Sequence, residues 1–137
     1  MSHTKKGDNT MQVVRIGLDI AKSSFQVHGV DAHGKVVIRK QLTRGKVLGD
    51  FAQLPPCLIG LEACGGAHYW ARELGKLGHA VRLIAVQYIR PYRTHQKNDQ
   101  NDAEAICEAV SRPRTRCVPV KSEGQQAVWT VHRAREL

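Results

Sequence analysis

A chain of 137 residues that is 42% hydrophobic can bury one sizeable core and is too short for two independent domains. Lysine and arginine outnumber aspartate and glutamate by 21 to 12, a formal charge of +9, which favours a polyanionic partner, nucleic acid first and a membrane surface second. No apolar run reaches the roughly 18 residues of a membrane span, and the opening MSHTKKGDNT lacks the apolar stretch of a signal peptide, so a soluble, intracellular chain is expected. Cys57, Cys64, Cys107 and Cys117 show no CxxC or CxxH spacing; they read as free thiols in or near the core rather than as zinc ligands.

Residues 1–12 read as a disordered tail. Val13 to Ile20 is then a β-rich run, Phe25 to Val30 a second, with Asp31 to Gly34 (DAHG) as its turn, and Lys35 to Leu42 a third. A short helix from about Lys46 to Leu54 ends at Pro55 and Pro56. Cys57 to Leu61 is an apolar strand. Gly66 to Leu77 is a helix with Trp70, Ala71, Leu74 and Leu77 on one face and Gly78 past its end, and Ala80 to Val86 is a strand again. The last helix begins in KNDQNDAEAI (97–106), where Ala103, Ile106, Cys107 and Val110 form an apolar stripe. The order β-β-β-α-β-α-β-α implies an α/β fold with a mixed five-stranded sheet over 13–121, its later strands paired in parallel through right-handed crossovers.

Two strands share a pattern. Residues 16–20 read IGLDI and residues 59–63 read IGLEA, each with one carboxylate at its carboxyl end. A charge on a buried strand is costly unless it is paired, protonated or bound to a cation, and the glycine two residues earlier leaves room for a close approach. Asp99 and Asp102 stand three apart at the start of the last helix. Alone they read as residues favoured by the helix dipole, with Asn98 as the N-cap. Ligands of open α/β sheets sit off the carboxyl ends of strands, so Asp19, Glu62, Asp99 and Asp102 are expected to converge there. Four carboxylates with few cations nearby make an all-oxygen site suited to Mg²⁺ or Mn²⁺, and two such ions about 3.5 to 4 Å apart serve phosphodiester chemistry.

The spacing D…E…DxxD over this strand order resembles the RuvC-like, RNase H-like domain of the DEDD transposases of bacterial insertion sequences, relatives of the Piv-type DNA invertases. GLDIAKSSFQV, GLEACGGAHYWARELGKLGH, KNDQNDAEAICEAVSRP and VPVKSEGQQAVWTVHRAREL resemble successive blocks of that family, from about residue 13 to the last. The resemblance implies that Asp19, Glu62, Asp99 and Asp102 are the catalytic, metal-binding tetrad for Mg²⁺ or Mn²⁺. It implies a bacterial cytoplasmic, nucleoid-associated protein that recombines DNA under a structured guide RNA and is homo-oligomeric at full length. Family members continue into a second domain with a nucleophilic serine. None of Ser2, Ser23, Ser24, Ser111 or Ser122 lies in that serine motif, so the chain reads as a truncated copy. Residues 122–137 then read as the start of a further helix, with Ser122 and Gln125 as its capping box.

Positive charge gathers in two places. YIRPYRTHQK (Tyr88 to Lys97) interleaves Arg90, Arg93, His95 and Lys97 with Tyr88 and Tyr92, a pattern that suits phosphate contacts with base stacking as well as it suits a solvated loop. Arg112, Arg114 and Arg116 form a second basic stretch, a linker or further nucleic-acid contacts. His68 and His79 read as core or surface residues rather than ligands. Three alternatives stay open. One is a stand-alone RuvC-like nuclease or junction resolvase. Another is a non-catalytic nucleic-acid binder with structural carboxylates. The third is an actin-like sugar kinase, which GLDIAKSSFQV also resembles but which needs a second Gly-rich phosphate loop absent here.

Overall fold

Three antiparallel strands lead the computed structural model, which describes residues 10–93 and 99–127. They are β1 (Arg15–Ile20), β2 (Ser24–Val30) and β3 (Val36–Thr43). The turn between β2 and β3 forms because Asp31 Oδ1 accepts the His33 and Lys35 amides at 2.9 and 3.0 Å while Gly34 takes φ +82°, a left-handed conformation that costs glycine little. The Lys35 amide, with that of His33, also holds the Asp31 carboxyl below its ordinary range.

Helix α1 (Val47–Ala52) follows, shorter at both ends than the sequence suggests, with Arg44–Lys46 as a tighter helical turn before it. Then come β4 (Leu58–Glu62), α2 (Ala67–Lys76), β5 (Ala80–Ile84), α3 (Asp99–Ser111) and β6 (Cys117–Val118). The sheet order is β3-β2-β1-β4-β5-β6, with β1, β4 and β5 mutually parallel and β6 antiparallel to β5. The expected parallel pairing is present, but the strand count is six, not five. A two-residue strand is too short to leave a periodic signal, and its pairing with Leu83 and Ile84 is a long-range event.

Strand alternation sorts the side chains onto two faces. Ile16, Leu18, Ile59, Leu61 and Leu83 point to one side and build the main core with Phe51 of α1 and Trp70 and Leu74 of α2. Phe25 meets Trp70 edge to face at 4.9 Å between centroids. The buried stripe of α2 is Ala67, His68, Trp70, Ala71 and Leu74; Leu77 lies outside it, 38% exposed, because it already belongs to the turn toward Gly78. Ile84 points to the other side and packs with Ala105, Ile106, Ala109 and Val110 of α3.

Gly17 and Gly60 let α3 reach the sheet. A Cβ on Gly17 would lie 2.1 Å from the Ala103 carbonyl oxygen and 2.4 Å from the Cys107 nitrogen; one on Gly60 would lie 2.9 Å from Val110 Cβ. The helix backbone therefore touches the strand backbone at Gly17. The approach anticipated beside each strand carboxylate is that of α3.

Candidate metal centre

Alternation that aims Gly17 and Gly60 at α3 aims Asp19 and Glu62, two residues further on, at the same helix. The parallel register sets Gly17 beside Gly60 and Leu18 beside Leu61, which brings the two carboxylates level at the carboxyl ends of neighbouring strands. Asp102 shares Arg93 with Glu62 at the carboxyl end of β4, while Val110 and Ser111 lie beside Arg15 and Leu58 where β1 and β4 begin, so α3 runs antiparallel to these strands and its amino end overhangs their carboxyl ends. Asp102 is carried there in the first turn. Asp99 opens α3 one turn earlier, and its side chain, like Lys97 and the expected N-cap Asn98, lies outside the described residues.

The expectation of few cations at this end is corrected by Arg93. Its Nη2 donates to Glu62 Oε1 at 3.0 Å, and its Nε stands 3.1 Å from Asp102 Oδ1. The Nε contact is an ion pair rather than an aligned hydrogen bond. Arg93, read as a phosphate contact, is thus the internal counter-ion of two of the four candidate ligands. Nothing in the residue pattern distinguishes those roles; only the fold reveals which carboxylates lie within reach. Arg90 is exposed. Tyr88 and Tyr92, read as stacking platforms, are half-buried against the Ile84 and Ile106 cluster, and Arg112 lies over the Tyr92 ring at 5.6 Å. Arg112 also pairs with Glu108 at 2.5 Å, and Arg114 and Arg116 are exposed.

Among the described residues no group of three or more His, Cys, Asp or Glu side chains stands ready around one point for a metal ion. The donor chemistry nonetheless fits a hard divalent cation: Glu62 and Asp102, from different elements, point their oxygens at one positive group, and Asp19 shares their face of the sheet. Both histidines are structural. His79 Nδ1 accepts the Cys57 amide at 3.2 Å and its Nε2 donates to the Phe51 carbonyl at 2.9 Å; His68 Nδ1 accepts the Lys121 amide at 3.0 Å. Cys57 and Cys107 are buried, with burial pushing the Cys57 thiol up to about 11, whereas Cys64 and Cys117 are exposed rather than in the core.

A family model described as a transposase, that of the IS110-type DEDD group, matches residues 16–137. The chain belongs to the DEDD transposase family. This DEDD transposase chain is 63% identical over 125 residues to a probable family 20 transposase of Pseudomonas aeruginosa, a match covering 91% of the chain and 37% of the relative. It is 44% identical over 124 residues to the transposase for insertion sequence element IS1328 of Yersinia enterocolitica, covering 90% and 37%. It is 39% identical over 133 residues to the transposase for insertion sequence element IS1111A of Coxiella burnetii, covering 96% and 36%. The chain spans about a third of the length of these relatives. Its mixed sheet is the RuvC-like architecture of the family, and among the described residues no helix is long and apolar enough to cross a membrane.

Proposed function

We propose that this chain is the metal-dependent DEDD module of an insertion-sequence transposase, acting on DNA under the direction of a structured RNA. The observation that carries the reading is the convergence of Glu62 and Asp102 on a single cationic group at the carboxyl end of the sheet, with Asp19 on the same face. Membership of the transposase family supports the substrate class. Asp19, Glu62, Asp99 and Asp102 would hold Mg²⁺ or Mn²⁺, which when bound polarises a phosphodiester and activates the attacking oxygen. The protein's own part is positional. Strands β1 and β4 fix two carboxylates by register, and α3, seated on Gly17 and Gly60, fixes the others. Arg93 then has a second use: released from Glu62 and Asp102, its guanidinium is beside the site and can hold a phosphate oxygen. Strand joining by the family's serine route is not assigned to these residues.

Calorimetric titration with Mg²⁺ of the wild type and of Asp19→Asn tests the reading. Heat of binding in the wild type that falls at least tenfold in affinity in the variant is expected; equal, weak heats from both would remove the metal assignment. A second reading draws on Arg93 itself: a guanidinium already neutralising two carboxylates would suit a non-catalytic nucleic-acid binder with a structural ion-pair cluster. In that case Mg²⁺ leaves the thermal midpoint unmoved, while binding to DNA or RNA persists.

A further inference from the structure

Far from the carboxylates, where β1 and β4 begin and α3 ends, the surface opens into a cleft of about 450 Å³. Three of its lining residues are arginines, Arg15 of β1, Arg82 of β5 and Arg112 in the loop just past α3, and among the described residues no acidic side chain lines it. Its apolar wall includes Leu58 and Val110, and Thr115 adds a hydroxyl. The placement follows from the alternation that builds the metal centre. Arg15, Gly17 and Asp19 occupy one face of β1, and Arg82 pairs with Gly60, so the α3 face of the sheet is basic at one end and acidic at the other.

Guanidinium groups brought together repel one another unless anions lie between them. Arg112 has Glu108 as a partner, but among the described residues neither Arg15 nor Arg82 has an ion pair, and Arg15 Nε is buried without a hydrogen-bond partner. The exposed Arg114 and Arg116 flank the cleft on the same loop. The carbonyl end of α3 attracts cations, yet that attraction is weak at a solvent-exposed helix end and satisfies no planar fork of donors. A phosphodiester chain does both: it supplies evenly spaced anionic oxygens that match guanidinium geometry.

We propose that this cleft is a phosphate-backbone site for nucleic acid, with Arg15 and Arg82 as contacts that the linear pattern of basic residues does not mark. It rests on the nucleic-acid reading above and adds a place to it. Asp19 stands four positions beyond Arg15 on β1, roughly 13 Å, with α3 seated on Gly17 between them, so the phosphate held here is not the one presented to the carboxylates. The cleft holds the guide or a flanking segment while the metal end works on a different phosphodiester.

The test is fluorescence anisotropy of the whole chain with a labelled DNA duplex and, separately, a labelled RNA hairpin, over a range of salt. Arg82→Gln is the main variant because Arg82 is exposed; Arg15→Gln is added where thermal unfolding shows it folded. Arg39→Gln, an exposed position on β3, makes the same charge change elsewhere. Arg82→Gln is expected to lower the salt slope by about one and the low-salt affinity about tenfold for the probe that uses the cleft, with Arg39→Gln changing neither. A loss for the hairpin alone names RNA as the occupant, and a loss for the duplex alone names DNA. Equal effects of Arg82→Gln and Arg39→Gln, with wild-type binding intact, would overturn the site and leave the nucleic-acid reading standing. A wild type that binds neither probe overturns both.

Discussion

Glu62 and Asp102 share one guanidinium, and that sharing has a measurable sign. Both pairs are partly exposed, so together they contribute about 1 kcal/mol, a cost that a divalent ion would have to meet to take the carboxylates from Arg93. Arg93→Ala removes that competition and takes from both carboxylates the cation they share. The variant is expected to unfold at a lower temperature than the wild type without metal and to gain more from Mg²⁺, with affinity raised about fivefold. Paired thermal scans with and without Mg²⁺ check this. A smaller metal-induced rise in the variant would mean that Arg93 helps to build the site rather than occupying it. At this scale the sequence was informative unevenly. The repeats I-G-L-D and I-G-L-E are legible because a strand alternates with period two, so the glycine and carboxylate share a face. The partner of Arg93 is not legible, since a long flexible side chain can reach several groups and its choice depends on how three elements meet.

Helix α3 is the element on which the candidate site depends, and Gly17 is where it is seated. A methyl group there would meet the Ala103 carbonyl and the Cys107 amide, backbone atoms that no rotamer change can move. At Gly60 the obstruction is the Val110 and Ile106 side chains, which can shift by tenths of an ångström. Gly17→Ala is therefore expected to destabilise by about 3 kcal/mol or more, at the upper end of overpacking effects, and Gly60→Ala by about 1 to 2 kcal/mol. Urea unfolding of the two variants measures the difference. Equal, small losses would show that α3 does not press on β1 as closely as described. The same seating explains what could be read of the elements beforehand. The apolar stripe of α3 announces a helix with one buried face, and the two glycines announce a close approach, but neither says that the helix and the glycines answer each other. Strand β6 left no trace at all, since its two residues gain their extended form from β5 rather than from any propensity of their own.

Across the whole molecule, the segment after β6 is tied down by polar contacts rather than by a core. Arg72 Nη1 donates to the Lys121 carbonyl at 2.6 Å and to Gln126 Oε1 at 2.7 Å, and Gln126 Nε2 donates to the Gly65 carbonyl at 3.0 Å. Ser122 and Gln125 form the expected capping box, each accepting the other's amide at 3.1 and 2.8 Å, so residues 123–127 start a helix docked on α2. A further tie is His68, whose Nδ1 accepts the Lys121 amide and must be unprotonated to do so. Burial, then the positive charges of Lys121 and Arg72, hold its pKa below 6.5. The unfolded segment takes up the proton first as pH falls, so the stabilisation is complete above pH 6.5 and is lost as pH drops through the window between 6.5 and the lowered folded value. His28 is displaced in the same direction, chiefly by burial, so global stability falls in that window too and cannot by itself identify the tie. Hydrogen exchange resolved to residues 121–127 can. Protection there is expected to fall on going from pH 7.5 to pH 5.5, after correction for the intrinsic rates, by more than protection in β1 and β4. His68→Asn keeps an acceptor oxygen without a titrating group and should flatten the local response while leaving the global one, carried by His28, in place. Local protection that follows the global curve in both proteins would show that the segment opens only with the whole fold, and that His68 is no more than a filled position on α2.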